Sequence, residues 1–274
     1  MTRPIGELAL DQNLLNQDIA QVETFKMAPI YSEYSRGNPG WRSAVLFNQN
    51  GSTEDAYIKS YVGPGRFTPL ADRVPYIKGI IEHFFDSNLL LWARFMCVKN
   101  GFIMPHRDYL DVDGGLIRIH VPLATDSSCI STEEDRAFHM AVGQVCFLDG
   151  SKAHAAASLA DFHRIHLCLD FKPTASLVNI FHQKEIYYDG GEFSAAQRAA
   201  LEDGFEAEIL DLSRFLDESS FFEVSGIMGL IHFRREVNCR KTYDWLCEAA
   251  RKTGNQALLF RAKKLQADFL GAIA

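Results

Sequence analysis

Residues 164–171 alternate between apolar and polar side chains, a period of two that is typical of a β-strand with one face in a core. Residues 116–123 and 91–97 share this period. Each segment places one arginine on its polar face, namely Arg164, Arg118 and Arg94. Buried polar side chains are costly unless charged or hydrogen-bonding groups lie between them. The pattern therefore predicts a sheet whose polar face lines a cationic cavity that suits carboxylate ligands.

The first 85 residues are predicted to mix helices with one strand. Asp11 is a suitable N-cap for a helix whose apolar residues run to Val22, and residues 75–85 have helical spacing. Residues 41–48 are predicted to form a strand. Three aromatic residues and one asparagine of this region could line a substrate pocket, although packing is the commoner role for each: Tyr31, Tyr34, Trp41 and Asn48.

The polar segment 126–135, which includes Thr132-Glu-Glu-Asp, is predicted to be a loop near the mouth of the cavity. It either closes over a substrate or is an ordinary solvated turn.

From about Ser194 onward the pattern changes to helices. A capped helix is predicted to begin at Ser194, a second at Thr242, and Gly254 is a suitable stop before a third. Gly190–Gly191 is the best boundary, which divides the chain into a core of residues 1–190 and a helical domain of residues 191–274. The sequence leaves open whether this domain folds alone, stabilises the core or mediates a homodimer.

Composition narrows the class of protein. The 274 residues are 47% hydrophobic, which is ample for a packed core, and the net charge of -7 with no basic run argues against nucleic-acid binding. The six cysteines contain no Cys-x-x-Cys pair, so buried thiols are expected. No apolar signal region or membrane-length apolar run is evident, so we expect a cytoplasmic protein with no membrane partner.

His106, Asp108 and His154 are the candidate metal ligands. In an extended segment His106 and Asp108 point to the same face, and the turn at Gly150 delivers His154 to a strand end. Two imidazoles and one carboxylate can hold one face of Fe(II) and leave positions for a co-substrate and O2. His-x-Asp also occurs by chance on solvated loops. A zinc hydrolase would use similar ligands, but no His-Glu-x-x-His helix supplies its general base.

Four motifs resemble the bacterial free-proline hydroxylases, in the aspartyl/asparaginyl β-hydroxylase branch of the Fe(II)/2-oxoglutarate dioxygenases. They are Ile-Met-Pro-His-Arg-Asp-Tyr (103–109), Ile-Arg-Ile-His (117–120), Phe-His-Met-Ala-Val-Gly-Gln-Val-Cys-Phe-Leu-Asp (138–149) and Arg-Ile-His-Leu (164–167). Similar stretches at both ends extend the resemblance over most of the chain. The resemblance implies a mixed α+β fold, with a double-stranded β-helix (jelly-roll) core, flanking helices and a small C-terminal helical domain.

The resemblance also implies roles for single residues. His106, Asp108 and His154 would bind Fe(II); Arg164 would hold the distal carboxylate of 2-oxoglutarate, and His120 would lie near its other end. Arg118, and less clearly Arg94, would face the substrate. His139 matches a family histidine but is expected to be a hydrogen-bonded core residue.

The implied reaction is hydroxylation of a free amino acid, with O2 and 2-oxoglutarate consumed and succinate and CO2 released. L-Proline, giving a cis-hydroxylated product, or a cyclic homologue such as L-pipecolate is the expected substrate. Related iron halogenases carry a small residue where this chain has Asp108, so hydroxylation is favoured. In the strand before His154 this chain has Cys146 and not an aromatic residue, in contrast to the proline hydroxylases that it resembles. The smaller side chain predicts a reshaped pocket and leaves acyclic amino acids as alternative substrates. A non-catalytic metal-binding jelly-roll sensor is the other alternative.

Overall fold

The computed structural model describes residues 1–29, 40–54, 64–108, 115–174 and 176–271. Tyr31 and Tyr34 lie outside these ranges. The strands are Arg3–Glu7 (β1), Ala28–Pro29 (β2), Trp41–Asn48 (β3), Arg66–Phe67 (β4), Leu90–His106 (β5), Ile117–Ala124 (β6), Cys129–Glu133 (β7), Arg136–His139 (β8), Gln144–Leu148 (β9), His154–Phe171 (β10) and Ser194–Ala195 (β11). The α-helices are Gln12–Val22 (α1), Pro75–Phe84 (α2), Phe205–Asp211 (α3), Phe221–Ile231 (α4), Lys241–Lys252 (α5) and Gln256–Leu270 (α6).

All strand pairs between these elements are antiparallel, and the main path runs β1-β9-β6-β10-β5-β3-β2. Strand β10 pairs with β5 along most of its length, with an irregularity between Ser158 and His163. Its first half also pairs with β7 and its second half with β6. The sheet therefore curls around the β5–β10 pair, and the predicted jelly-roll core is confirmed.

The two faces of the curled sheet differ as the alternation predicted. The apolar face, which includes Ile119 and Leu167, packs against Leu15 of α1 and Ile77 of α2 in one hydrophobic core. The opposite face carries the arginines of β5, β6 and β10. A second hydrophobic core contains residues of the four helices α3, α4, α5 and α6, together with residues of the first half of β10 and the second half of β5. Gly190–Gly191 as the domain boundary stays a prediction.

Most predicted elements of the N-terminal region and of the last 30 residues are confirmed. Asp11 caps α1 by accepting hydrogen bonds from the backbone N–H groups of Asn13 and Leu14. The predicted strand 41–48 is β3, and the predicted helix 75–85 is α2. Gly254 has a φ of 73°, in the left-handed region, and separates α5 from α6.

The loop prediction for residues 126–135 is wrong over its central part. Residues 129–133 form β7, which pairs with both β10 and β8, and all five of its side chains are buried. Asp126 marks the real turn, since its carboxylate accepts the N–H and hydroxyl of Ser128. Pairing on both edges outweighs the polar character of Thr132 and Glu133, because residues 131–133 have backbone partners in both β8 and β10.

The helix predicted from Ser194 is also wrong. Ser194 and Ala195 form β11 against β8, and the Ala199 N–H donates to the carbonyl of Arg234. The Arg198 guanidinium donates to the carbonyls of His232 and Val237. These long-range hydrogen bonds hold the segment extended despite its alanine-rich composition. In the described part of the chain, no helix combines the length and apolar character that crossing a membrane requires.

Candidate active site

His106 and His154 face each other across the β5–β10 pair. His106 is the last residue of β5, His154 is the first of β10, and the two are register partners with ring centroids 4.4 Å apart. Each Nδ1 lies against a backbone carbonyl two residues earlier, at 2.8 Å from Met104 O and 3.0 Å from Lys152 O. A carbonyl only accepts, so Nδ1 carries a proton in both rings, and Nε2 is the nitrogen that faces Asp108 and can bind a metal once its own proton is released.

Asp108 completes a three-residue group two residues beyond the end of β5. Its Oδ1 lies 3.6 Å from His106 Nε2, and its Oδ2 lies 3.4 Å from His154 Nε2. Neighbouring ligands about 2.1 Å from one ion at right angles are about 3 Å apart, so small adjustments would bring all three onto a metal. Among the described residues, this is the one group of three or more His, Cys, Asp or Glu side chains close enough to hold an ion.

The electrostatics of the group suit a cation. Burial raises the pKa of Asp108, but the charges of Arg118 and His154 and hydrogen bonds from both imidazoles outweigh it and hold that pKa well below its usual range. Burial and the charge of His154 lower the pKa of His106. Burial lowers the pKa of His154, but the neighbouring Asp108 carboxylate reverses this and raises it. At neutral pH Asp108 is an anion, which is the form that binds a metal.

Arg118 is engaged with two carboxylates. Its Nε and Nη2 donate to the two oxygens of Asp170 at 2.8 and 3.0 Å, and its Nη1 donates to Asp108 Oδ2 at 2.7 Å. Arg118 is 4% exposed and Asp170 is fully buried. Asp170 was recognised in the sequence only as one residue of a polar face. Its pairing with Arg118 depends on the register of β6 against β10, which the alternation does not reveal.

Arg164, in contrast, has no carboxylate within ion-pair distance among the described residues. Its Nη2 lies 3.2 Å from His166 Nδ1, and its side chain is buried. Burial lowers the pKa of Arg164 to about 10, so it remains a cation at neutral pH. Burial and the charges of nearby arginines hold the pKa values of His120 and His166 well below the usual range, so both rings are neutral.

Arg94 is the second buried arginine without a carboxylate partner in the described ranges. Its guanidinium stacks over the ring of Trp92, 4.0 Å from the centroid, and its Nε has no hydrogen-bond partner. Arg94 is 8% exposed. A desolvated cation that lacks an anion indicates a place for one.

One cavity connects most of these residues. It has about 490 Å³ of empty space, part of it open to solvent, and His106, His154, His120, Arg118 and Arg164 contribute to its wall. Ser131 and Thr132 of β7 and Thr2 also line it. They were not predicted as site residues, and the β-branched residues Ile130 and Thr132 of β7 were the signal that could have placed Ser131 and Thr132 in a strand.

The other predicted residues pack or lie outside the described ranges. Trp41 and Asn48 are each 6% exposed, and Trp41 packs in a small cluster with Met96. His139 Nδ1 donates to the carbonyl of Cys129 at 2.9 Å, which fits a hydrogen-bonded structural histidine. All six cysteines are buried free thiols.

The C-terminal helices contact the segment that carries His106 and Asp108. The Arg107 N–H donates to the carbonyl of Phe269 on α6 at 2.8 Å. The Tyr243 hydroxyl on α5 donates to the carbonyl of Pro105. These bonds hold the backbone on both sides of His106.

Comparison with known proteins identifies relatives over nearly the whole chain. The family model for aspartyl/asparaginyl β-hydroxylases matches residues 11–173, and that for the C-terminal region of L-proline 3-hydroxylase matches residues 178–272. The L-proline cis-4-hydroxylase of Rhizobium meliloti (strain 1021) is 32% identical over 98% of this chain and 96% of that protein. L-Proline cis-3-hydroxylase 1 of Streptomyces sp is 27% identical over 98% of this chain and 95% of that protein. A solved 2OG-Fe(II) oxygenase family oxidoreductase from Burkholderia pseudomallei has a TM-score of 0.40 and 12% identity, covering 69% of this chain and 84% of that one.

Fold and site together define an Fe(II)- and 2-oxoglutarate-dependent dioxygenase. The chain belongs to the aspartyl/asparaginyl β-hydroxylase family. The predicted family, fold class, enzyme class and cofactor requirement are confirmed, whereas the roles of single site residues stay predictions.

Proposed function

We propose that this enzyme hydroxylates a free cyclic amino acid, L-proline or a close homologue such as L-pipecolate. The two curated relatives, which match nearly the whole chain, are named as L-proline hydroxylases. In this proposal His106, Asp108 and His154 hold Fe(II), which supplies, with 2-oxoglutarate and O2, the oxidant that hydroxylates an unactivated carbon. We include the predicted cytoplasmic location in the proposal.

The observation that carries the proposal is the charge balance of the three buried arginines of the polar face, two of which, Arg118 and Arg164, line the cavity. Arg118 is neutralised by Asp170, whereas Arg164 and Arg94 are buried cations without an anionic partner among the described residues. Two unneutralised guanidinium groups match two carboxylates that must be bound, the distal one of 2-oxoglutarate and that of the amino acid.

The roles of the arginines follow from their surroundings. Arg164 lines the same cavity as the proposed metal ligands, which suits a co-substrate that reaches from the ion to the guanidinium. His120 is neutral and lines the same cavity as Arg118 and Arg164, so it can hydrogen-bond 2-oxoglutarate without adding charge. Arg94, whose guanidinium lies over the Trp92 ring, is the candidate clamp for the amino-acid carboxylate. A firmly held substrate is needed because the oxidant attacks what lies nearest.

The test is succinate formation from 2-oxoglutarate with Fe(II) and a panel of free amino acids, followed by NMR of the product. L-Proline or L-pipecolate should stimulate succinate formation and yield one hydroxylated product. No stimulation by any amino acid would contradict hydroxylation of a free amino acid, and preference for an acyclic one would contradict the substrate class. Arg164→Lys should raise the KM for 2-oxoglutarate more than that for the amino acid, and Arg94→Lys should do the reverse.

A further inference from the structure

Arg118, which lines the cavity, forms a cross-strand pair with Asp170. They are direct register partners on β6 and β10, so their side chains leave the sheet on the same face. The guanidinium meets the carboxylate through two parallel hydrogen bonds, Nε to Oδ1 at 2.8 Å and Nη2 to Oδ2 at 3.0 Å. This two-point contact fixes the plane and direction of the guanidinium, which a single hydrogen bond would not.

The remaining Nη1 of Arg118 is thereby aimed at Asp108. It donates to Asp108 Oδ2 at 2.7 Å, the shortest of the three hydrogen bonds. Asp108 lies beyond the last residue of β5, where the strand ladder no longer holds it. Its backbone N–H is held by the carbonyl of Gly150, and its carboxylate is oriented by Arg118.

Charge gives Asp170 a second effect on Asp108. If Arg118 and Asp108 formed an isolated pair, their charges would cancel, and Arg118 would compete with a metal cation for the Asp108 carboxylate. Asp170 adds one negative charge, so the three groups together carry a net charge of about -1 at neutral pH. Because Asp170 is fully buried, water screens little of this charge.

We propose that Asp170 is a positioning residue of the metal site, which fixes Arg118 and through it the carboxylate of Asp108. The proposal rests on the metal site proposed above. It also deepens the assignment of the arginines. Three of the five N–H donors of Arg118 are committed to two carboxylates, so Arg118 acts mainly on the metal ligand, and Arg94 is the candidate for binding the amino-acid carboxylate.

The test compares Asp170→Asn with Asp18→Asn. Asp18 is a matched control because it is also a buried carboxylate, 4% exposed, and it accepts the N–H of Ile77 at 2.8 Å in the N-terminal core, away from the cavity. Co(II) affinity is measured by calorimetry without O2, together with the visible spectrum of the bound Co(II). Removal of an outer partner of a metal ligand typically costs about 10–100-fold in metal affinity, so Asp170→Asn should weaken Co(II) binding by that factor and change the spectrum. Asp18→Asn should leave both unchanged.

A second variant separates positioning from folding. Asp170→Asn leaves a buried guanidinium half-paired, which destabilises the fold, whereas replacing a buried ion pair by apolar residues of similar size is often neutral. Arg118→Met/Asp170→Leu removes both members of this pair together with the Arg118 donor to Asp108, and should fold and still bind Co(II) more weakly than wild type. Wild-type Co(II) affinity and spectrum in either folded variant would overturn the proposal. If the wild-type protein itself binds no Co(II), the proposed metal site is contradicted. That result differs from a variant that binds Co(II) as the wild type does, which contradicts only the proposed role of Asp170.

Discussion

A small substitution on α4 should test whether the C-terminal helices support the metal-binding segment. Gly226 and Gly229 lie three residues apart on α4, and both face Phe102 of β5. A Cβ at Gly229 would lie 2.5 Å from Met104 Sδ and 2.9 Å from Phe102 Cε2, distances that force a shift. A Cβ at Gly226 would meet only Phe102 Cζ, at 3.8 Å, which is an ordinary contact.

The difference between the two alanine variants isolates the packing cost. Glycine to alanine inside a helix gains about 1 kcal/mol from the backbone at either position. Overpacking a core costs about 1–3 kcal/mol. Gly226→Ala should thus raise the free energy of unfolding by up to about 1 kcal/mol. The free energy of unfolding of Gly229→Ala should be about 1–3 kcal/mol lower than that of Gly226→Ala.

The same shift should reach the metal site. The carbonyl of Met104 accepts the Nδ1 proton of His106 at 2.8 Å, so a shift of the Met104 side chain that also moves its backbone disturbs the orientation of that imidazole. Urea unfolding followed by fluorescence gives the stabilities, and calorimetry gives Co(II) affinity. Gly229→Ala should bind Co(II) more weakly than Gly226→Ala. If Gly229→Ala were as stable as Gly226→Ala and bound Co(II) equally well, the tight contact between α4 and β5 would be refuted.

Three further predictions concern single interactions. Asp108→Ala should abolish hydroxylation, and Co(II) at about 100 times the wild-type Kd should stabilise wild type by about 2.7 kcal/mol but not this variant, as unfolding with and without Co(II) would reveal. Burial raises the pKa of Glu134, but hydrogen bonds from Arg240 and a backbone N–H have the larger effect and lower that pKa below 4.5 in the folded protein. The ionised Glu134 therefore stabilises the fold above pH 4.5, and this stabilisation is lost as the pH falls through the pKa of Glu134 in the folded state. Glu134→Gln should therefore cost about 1 kcal/mol at neutral pH, and the gap from wild type should close in acid; a gap independent of pH would contradict the ion pair. Tyr243→Phe leaves the buried carbonyl of Pro105 without its donor and should cost about 1–3 kcal/mol in urea unfolding; an unchanged stability would show that this hydrogen bond contributes nothing.

The parts of the site that could be predicted are those that local pattern determines. The two-residue period of β6 and β10 assigns Arg118 and Arg164 to the polar face without any knowledge of neighbouring strands. The partner of Arg118 could not be predicted in this way, because a shift of register would place another residue opposite it. The same limit explains β7, whose polar residues resemble a loop until both its edges are paired.

The sequence left three roles open for the C-terminal helices, and the contacts of the His106 segment bear on them. Helix α4 packs on Met104, α5 donates a hydrogen bond to Pro105, and α6 accepts one from Arg107. Three consecutive helices thus hold three residues that flank one proposed metal ligand. A strand end beside a cavity has few neighbours of its own, and ligand geometry needs support within about 0.5 Å. Support from outside the sheet lets the polar face of β5 remain open to the cavity while the backbone behind it is fixed.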